Sequence, residues 1–331
     1  MKTKSAFYRL FLIGLLFALI LSCSKETTND PTDLPTVEGT MTTYKGTGYG
    51  PGAIAFDGTN IWTVNYAYTQ MSPLIIESSL TKITPAGVMT TFPITSHYPH
   101  AIAFDGTNMW TANRDDNSVT KITPAGVMTT FTGTGLGPVS IVFDGKNMWT
   151  INNLDDSVTK ITSIGTMTTY TGIGSMTIID RDGVKLRGEG GIAFDGINIW
   201  TSNGVGNSVT KVTPAGVMTT YKGTGKEAMR LSYDGVNMWT VNQNNSVTKV
   251  TPAGLMTTFT GVGENPWGIA FDGTNMWTAN GYDNSVTKIT PTGEMTTFTG
   301  TGEHPWSIVF DGKNMWTANG NDNSVTKITV R

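Results

Sequence analysis

The sequence predicts an all-β, seven-bladed β-propeller with four antiparallel strands per blade, the last blade closed by the N-terminal strand. Three observations predict it. An Asp-Gly pair recurs at Asp57, Asp105, Asp144, Asp195, Asp234, Asp272 and Asp311, with spacings of 48, 39, 51, 39, 38 and 39 residues. The repeated segment is rich in Thr, Val, Ile and Trp and punctuated by Gly, Asn and Pro, as short strands joined by tight turns require. The final repeat stops one strand short, at SVTKITVR, and the missing strand, GTMTTYKG from Gly39 to Gly46, stands before the first repeat.

The chain begins with a different kind of segment. Lys2, Lys4 and Arg9 precede an apolar run from Phe11 to Leu21 that only Gly14 interrupts. Such a run is too short to span a bilayer but suits a signal peptide, residues 1–22. It ends in Ile20-Leu21-Ser22-Cys23, which resembles the bacterial lipobox, in which cleavage precedes a lipid-modified cysteine. Cys23 is the single cysteine of the chain, which excludes an internal disulfide and a cysteine-based metal site. Residues 23–35, with SKETTNDPTDLP after the cysteine, read as a flexible tether, and 36–331 as the propeller. The expected location is the cell envelope outside the cytoplasm, held by lipid on Cys23. Ser24, rather than Asp, favours the outer membrane or cell surface over the inner membrane. A net charge of −3 offers no basic surface, so nucleic acid is not an expected partner.

Each repeat parses into four strands, seen in GIAFD (A), NMWTAN (B), SVTKIT (C) and EMTTFT (D). Asp-Gly-Thr-Asn turns A into B and Thr-Pro-Ala-Gly turns C into D, with Gly supplying positive φ and Pro pre-setting it. Ala55, Ala103, Ala193 and Ala270 are small, as expected where strand A approaches the axis. Every strand B carries a tryptophan, from Trp62 to Trp316, and every strand D a methionine, from Met41 to Met295. Residues repeated at one register are expected to pack between blades. A lysine column in strand C, from Lys82 to Lys327, is expected to lay its stems over apolar surface. Asn at the ends of the B strands and the Asp-Gly column read as turn residues bonding their own turns.

The pattern IAFDGTNMWTAN followed by SVTKITPAG resembles the streptogramin lyase (virginiamycin B lyase) type of propeller, and the wider NHL-repeat group, over about residues 37–331. The resemblance implies the seven-bladed fold. It also implies a carbon–oxygen lyase that opens a cyclic depsipeptide by elimination, using histidine and glutamate side chains and Mg2+ near the axis. The histidines present are His97, His100 and His304, and the nearest run to the family's Glu-x-His is Glu303-His304. On that reading His304, Glu303, Glu264 and His100 are the candidate catalytic residues.

Function is expected where the repeats differ, at the D–A and B–C connections around one mouth of the channel. The position two before the apolar start of strand A is Gly52, His100, Val139, Gly190, Met229, Trp267 or Trp306. Trp267, Trp306, Arg230, Tyr49 and His97 are the candidate ligand-binding residues, because tryptophans flanked by charge suit a ring-shaped ligand. Insertions at 66–79 and 175–189 are expected to project from the same face. The expected function is a lipid-anchored platform that binds a small molecule, glycan or protein at the channel mouth, with the metal-dependent lyase as the alternative.

Overall fold

In a computed structural model, residues 37–66, 78–179 and 185–330 are described. The expected signal peptide, the expected tether and Cys23 lie outside them, as do residues 67–77 of the first insertion and 180–184 of the second. Among the described residues the strands form seven four-stranded sheets and one two-stranded hairpin. In blade one the strands are Pro51–Phe56, Ile61–Asn65, Ser79–Ile83 and Met89–Pro93, hydrogen-bonded in that order. The A strands of the following blades are Pro99–Phe104, Pro138–Phe143, Ile192–Phe194, Ala228–Tyr233, Pro266–Phe271 and Pro305–Phe310.

The ring closes as the strand count requires. Met41–Lys45 pairs with Ser324–Thr329, bringing Met41 opposite Ile328 and Tyr44 opposite Val325. Gly39 N donates to Thr329 O at 2.8 Å and Thr329 N to Thr40 O at 2.9 Å. These bonds repeat the ones that Gly87 and Thr84 make in the C–D turn of blade one. The chain is therefore cut inside a C–D turn, and it enters the ring on the face of the turns.

Each blade is held by one repeated polar unit. The tryptophans of the B strands are buried, and each Nε1 donates to the Asp of its own Asp-Gly turn at 2.6–2.7 Å. The second carboxylate oxygen accepts two backbone N–H groups of the turn, as Asp144 does from Lys146 and Asn147. Each indole stacks on the aromatic of strand D, as Trp149 does on Tyr170 at 5.9 Å. In six blades the strand C lysine lies over the indole at 5.4–5.6 Å. In the remaining blade Lys288 instead bonds Glu38 at 2.7 Å, across to the entry of the chain.

Two expectations change. Ala55 and its equivalents do not line the axis: Ala55 pairs with Trp62 and Ala103 with Trp110, so the small residue makes room for the indole within the sheet. The B-strand asparagines do not bond their own turns either. Asn113 is buried, accepts from Thr111 Oγ1 and donates to Ser118 and Thr120 of strand C. It staples B to C, satisfying every polar atom that burial would otherwise penalise.

Candidate ligand site at the channel mouth

Two residues from each blade line the axial channel, a cavity of about 120 Å³. The inner ring is Ile54, Ile102, Ile141, Ile192, Leu231, Ile269 and Ile308. The ring nearer the mouth is Ala53, Ala101, Ser140, Gly191, Arg230, Gly268 and Ser307. Six small residues and one arginine occupy equivalent places, so a single guanidinium stands at the axis.

Local backbone geometry aims the variable residues there. In five blades the register shifts by one between the strand's first proline and the residue two later, as between Pro99 and Ala101. His100, Trp267 and Trp306 are therefore the extra residue of a bulge, which turns a side chain out of the ladder. The residue before that proline sits at positive φ, 49° at Tyr98 and 58° at His304. The preceding blade holds it there: Asn284 Oδ1 accepts from His304 N at 2.9 Å, and Asn117, Asn207, Asn245 and Asn323 do likewise in other blades. Acidic neighbours brace the same connections, with Asp283 accepting from Glu264 N and Asp116 from His97 N.

One half of the mouth is a charged cluster. His100 is buried, its Nδ1 2.8 Å from Val139 O and its Nε2 3.5 Å from Glu189 Oε1. Arg230 Nη2 lies 3.8 Å from Glu189 Oε2, and its Nη1 reaches Ser140 Oγ at 3.3 Å and Val139 O at 3.4 Å. Burial pushes the Glu189 carboxyl up, but the charge and hydrogen bond of His100, then Arg230 and Arg114, outweigh it and hold the group at about 2. Tyr66 stacks on His100 at 6.2 Å and meets Tyr98 at 5.1 Å, and Arg114 lies over Tyr98. Burial, followed by the neighbouring Tyr98 and Glu189, pushes the Tyr66 phenol well above its ordinary range.

The other half is aromatic. Trp267 and Trp306 meet at 4.6 Å, His304 packs on Trp306 at 4.7 Å, and Tyr282 on His304 at 5.6 Å. Burial lowers the His304 pKa from its ordinary value. Trp267 Nε1 is shielded from solvent and has no hydrogen-bond partner among the described residues. Room for the indoles comes from Gly281 and Gly320, one residue past the B-strand asparagines. Where that later position is Tyr66 instead, the bulge residue is Gly52.

The structure thus joins His100 to Arg230, and Trp267 to Trp306 and His304. It leaves Tyr49, Glu264 and Glu303 exposed at the perimeter, and His97 paired with Asp116 at 2.9 Å, largely in solvent. The residues missed in the sequence are Glu189, Tyr66, Tyr98 and Arg114. Glu189 had a legible signal: it stands in the column of Pro51, Pro99, Pro138, Pro266 and Pro305. It meets His100 and Arg230 directly after the second insertion, in which Thr177–Ile179 pairs with Lys185–Arg187. Among the described residues no three His, Cys, Asp or Glu side chains converge as metal ligands. The Glu189 carboxylate is already shared by His100 and Arg230, a donor set that does not fit Mg2+.

No protein-family model and no curated protein matches the chain. Solved structures match in fold. A streptogramin B lyase is 16% identical with a TM-score of 0.72, covering 89% of this chain and 98% of that one. A virginiamycin B lyase from Staphylococcus aureus is 17% identical with a TM-score of 0.71, covering 89% and 100%. The WD40 propeller domain of Doa1 is 12% identical with a TM-score of 0.69, covering 89% and 98%. Likeness at this identity establishes the propeller fold, which enzymes and interaction modules share.

Proposed function

We propose that the protein is a binding platform, held at the cell envelope by lipid on Cys23, whose channel mouth takes a small molecule or glycan bearing both a flat ring and an acidic group. One observation carries the reading: Arg230 replaces the small residue found in the other six blades at the axis. Evolving such a side chain serves no packing need, since Ala, Ser or Gly fills the place elsewhere. Arg230 and Arg114 bring two guanidinium charges against the single carboxylate of Glu189, leaving the pocket suited to an anion. The Trp267–Trp306 pair supplies the surface on which a ring stacks. Titrating neutral and acidic glycans and peptides against tryptophan fluorescence tests this. A signal lost in Trp306→Ala, and weakened for acidic ligands alone in Arg230→Ala, is the expected result. Signals like those of the unsubstituted protein in both variants reject it.

A second reading, a lyase-like enzyme, draws on the fold shared with streptogramin B lyase and on His304. Burial favours the neutral form of His304, the form in which an imidazole accepts a proton. Incubation with a streptogramin B antibiotic, with and without added Mg2+, decides it; an intact ring after prolonged incubation under both conditions removes the enzyme.

A further inference from the structure

We infer that the turn face, opposite the channel mouth, sits on the bilayer that holds Cys23, so that the mouth opens away from the membrane. This rests on the reading of Cys23 as lipid-bearing. The described chain enters the ring at Val37, in the open C–D turn of the last blade. Only residues 24–36 separate that point from Cys23, and on the sequence reading of these residues as a tether, a coil of this length spans about 20 Å on average. The turn face is therefore the one held near the anchor.

Among the described residues that face also carries exposed aliphatic tips. Val88, Val127, Ile164, Ile197, Val217, Val236 and Leu255 are 63–79% exposed. Ile197 and Val236 stand at A–B turns, and the other five at C–D turns, in an arc from blade one to blade five. The A–B turns of blades one, two, three, six and seven carry Thr59, Thr107, Lys146, Thr274 and Lys313 and the C–D turn of blade six carries Glu294, so apolar tips are not a demand of the turn itself. Carboxylates of the arc do not oppose a lipid surface. Asp144, Asp195 and Asp234 are turned inward onto backbone N–H groups and indoles. Lys146 is the outward charge between them. Among the described residues, the exposed large apolar side chains of the mouth face are instead Tyr49, Leu136 and Tyr282, mostly with a hydroxyl suited to water. Aliphatic tips enter the boundary between headgroups and acyl chains. Each contributes little, but a short tether raises the effective concentration of the face at the membrane enough for weak contacts to orient the ring.

The test uses the full chain on vesicles of phosphatidylcholine and phosphatidylglycerol. The mass of the Cys23 peptide first reports whether acyl chains are present. A free thiol is then coupled to a maleimide phospholipid, so the anchor sits at the same point either way, and failure of lipidation is read separately from failure of orientation. Amine modification followed by mass spectrometry compares anchored with vesicle-free protein. Lys146 should react severalfold more slowly when anchored while Lys226, on the mouth face, reacts unchanged. Combining Ile197→Asp, Val236→Asp and Leu255→Asp should restore Lys146 without releasing the protein. Equal rates at both lysines, protection of Lys226, or protection of Lys146 in a vesicle-free dimer seen by sedimentation would overturn the proposal.

Discussion

The indole of Trp306 lies across Gly320, so close that a β-carbon on the glycine would stand 2.3 Å from Nε1. The same complementarity relates Trp267 to Gly281, where a β-carbon would meet the ring at 3.0 Å. Gly320→Ala should therefore push Trp306 off its partner and cost about 1–3 kcal/mol by overpacking. Gly281→Ala, with more room, should cost less. Urea melts order the two, and the tryptophan emission reports the displaced indole.

Closure predicts a second result. Met41–Lys45 supplies the Tyr44–Trp316 stack at 5.8 Å and the Thr43–Thr326 hydroxyl bond at 2.8 Å. Removing residues 37–45 strips both and bares the edge of Ser324–Thr329. Thermal melts should fall by on the order of 10 °C, and a melting temperature equal to that of the full chain would contradict a ring tied at its ends.

The Asp–Trp unit predicts a pH-dependent loss. Burial raises the Asp144 carboxyl, but the Trp149 N–H and the turn's hydrogen bonds outweigh it, so its pKa lies below the ordinary 3.8. Its stabilising bonds are complete above that ordinary value and are lost as pH falls through the folded one. Trp149→Phe should cost about 2–4 kcal/mol at neutral pH, from the lost bond and lost volume. The gap between the two proteins in denaturant melts should narrow below about pH 4.

Glu189 carries the same sign with a wider window. Its ordinary value is 4.5 and its folded value about 2, so its contribution is whole above 4.5 and drains away as pH falls toward 2. Glu189→Gln should flatten that part of the stability profile and cost about 1–2 kcal/mol near neutrality, where Arg230 loses its counter-charge. Melts from pH 2 to 7 compare the profiles.

The proposed lipid on Cys23 predicts a change of phase. Cys23→Ser should move the protein from the detergent-rich to the aqueous phase on cloud-point separation, with the melting temperature of the ring unchanged. Retention in the detergent phase would place the anchor elsewhere.

Much of this molecule was readable before any coordinate. Repetition exposed the blade, because Asp, Trp, Asn and Lys recur wherever the same bonds recur, and the missing last strand located the closure. The mouth was readable only in part. Arg230, His100, Trp267 and Trp306 stood out because they differ from their columns. Tyr49 and His97 differ as well, yet they sit on the loop before the bulge and face solvent.

What the sequence determined by itself was periodic: strand count, turn chemistry, the buried columns and their order around the ring. Those follow from neighbours in the chain and from copies of the same contact. Only the tertiary structure decided that Glu189, Tyr66 and Arg114, from blades four, one and two, share a cluster with Arg230 from blade five. The physical reason is convergence: seven strands meeting at an axis bring together side chains far apart in sequence, whose pairing appears in no repeat because it occurs once.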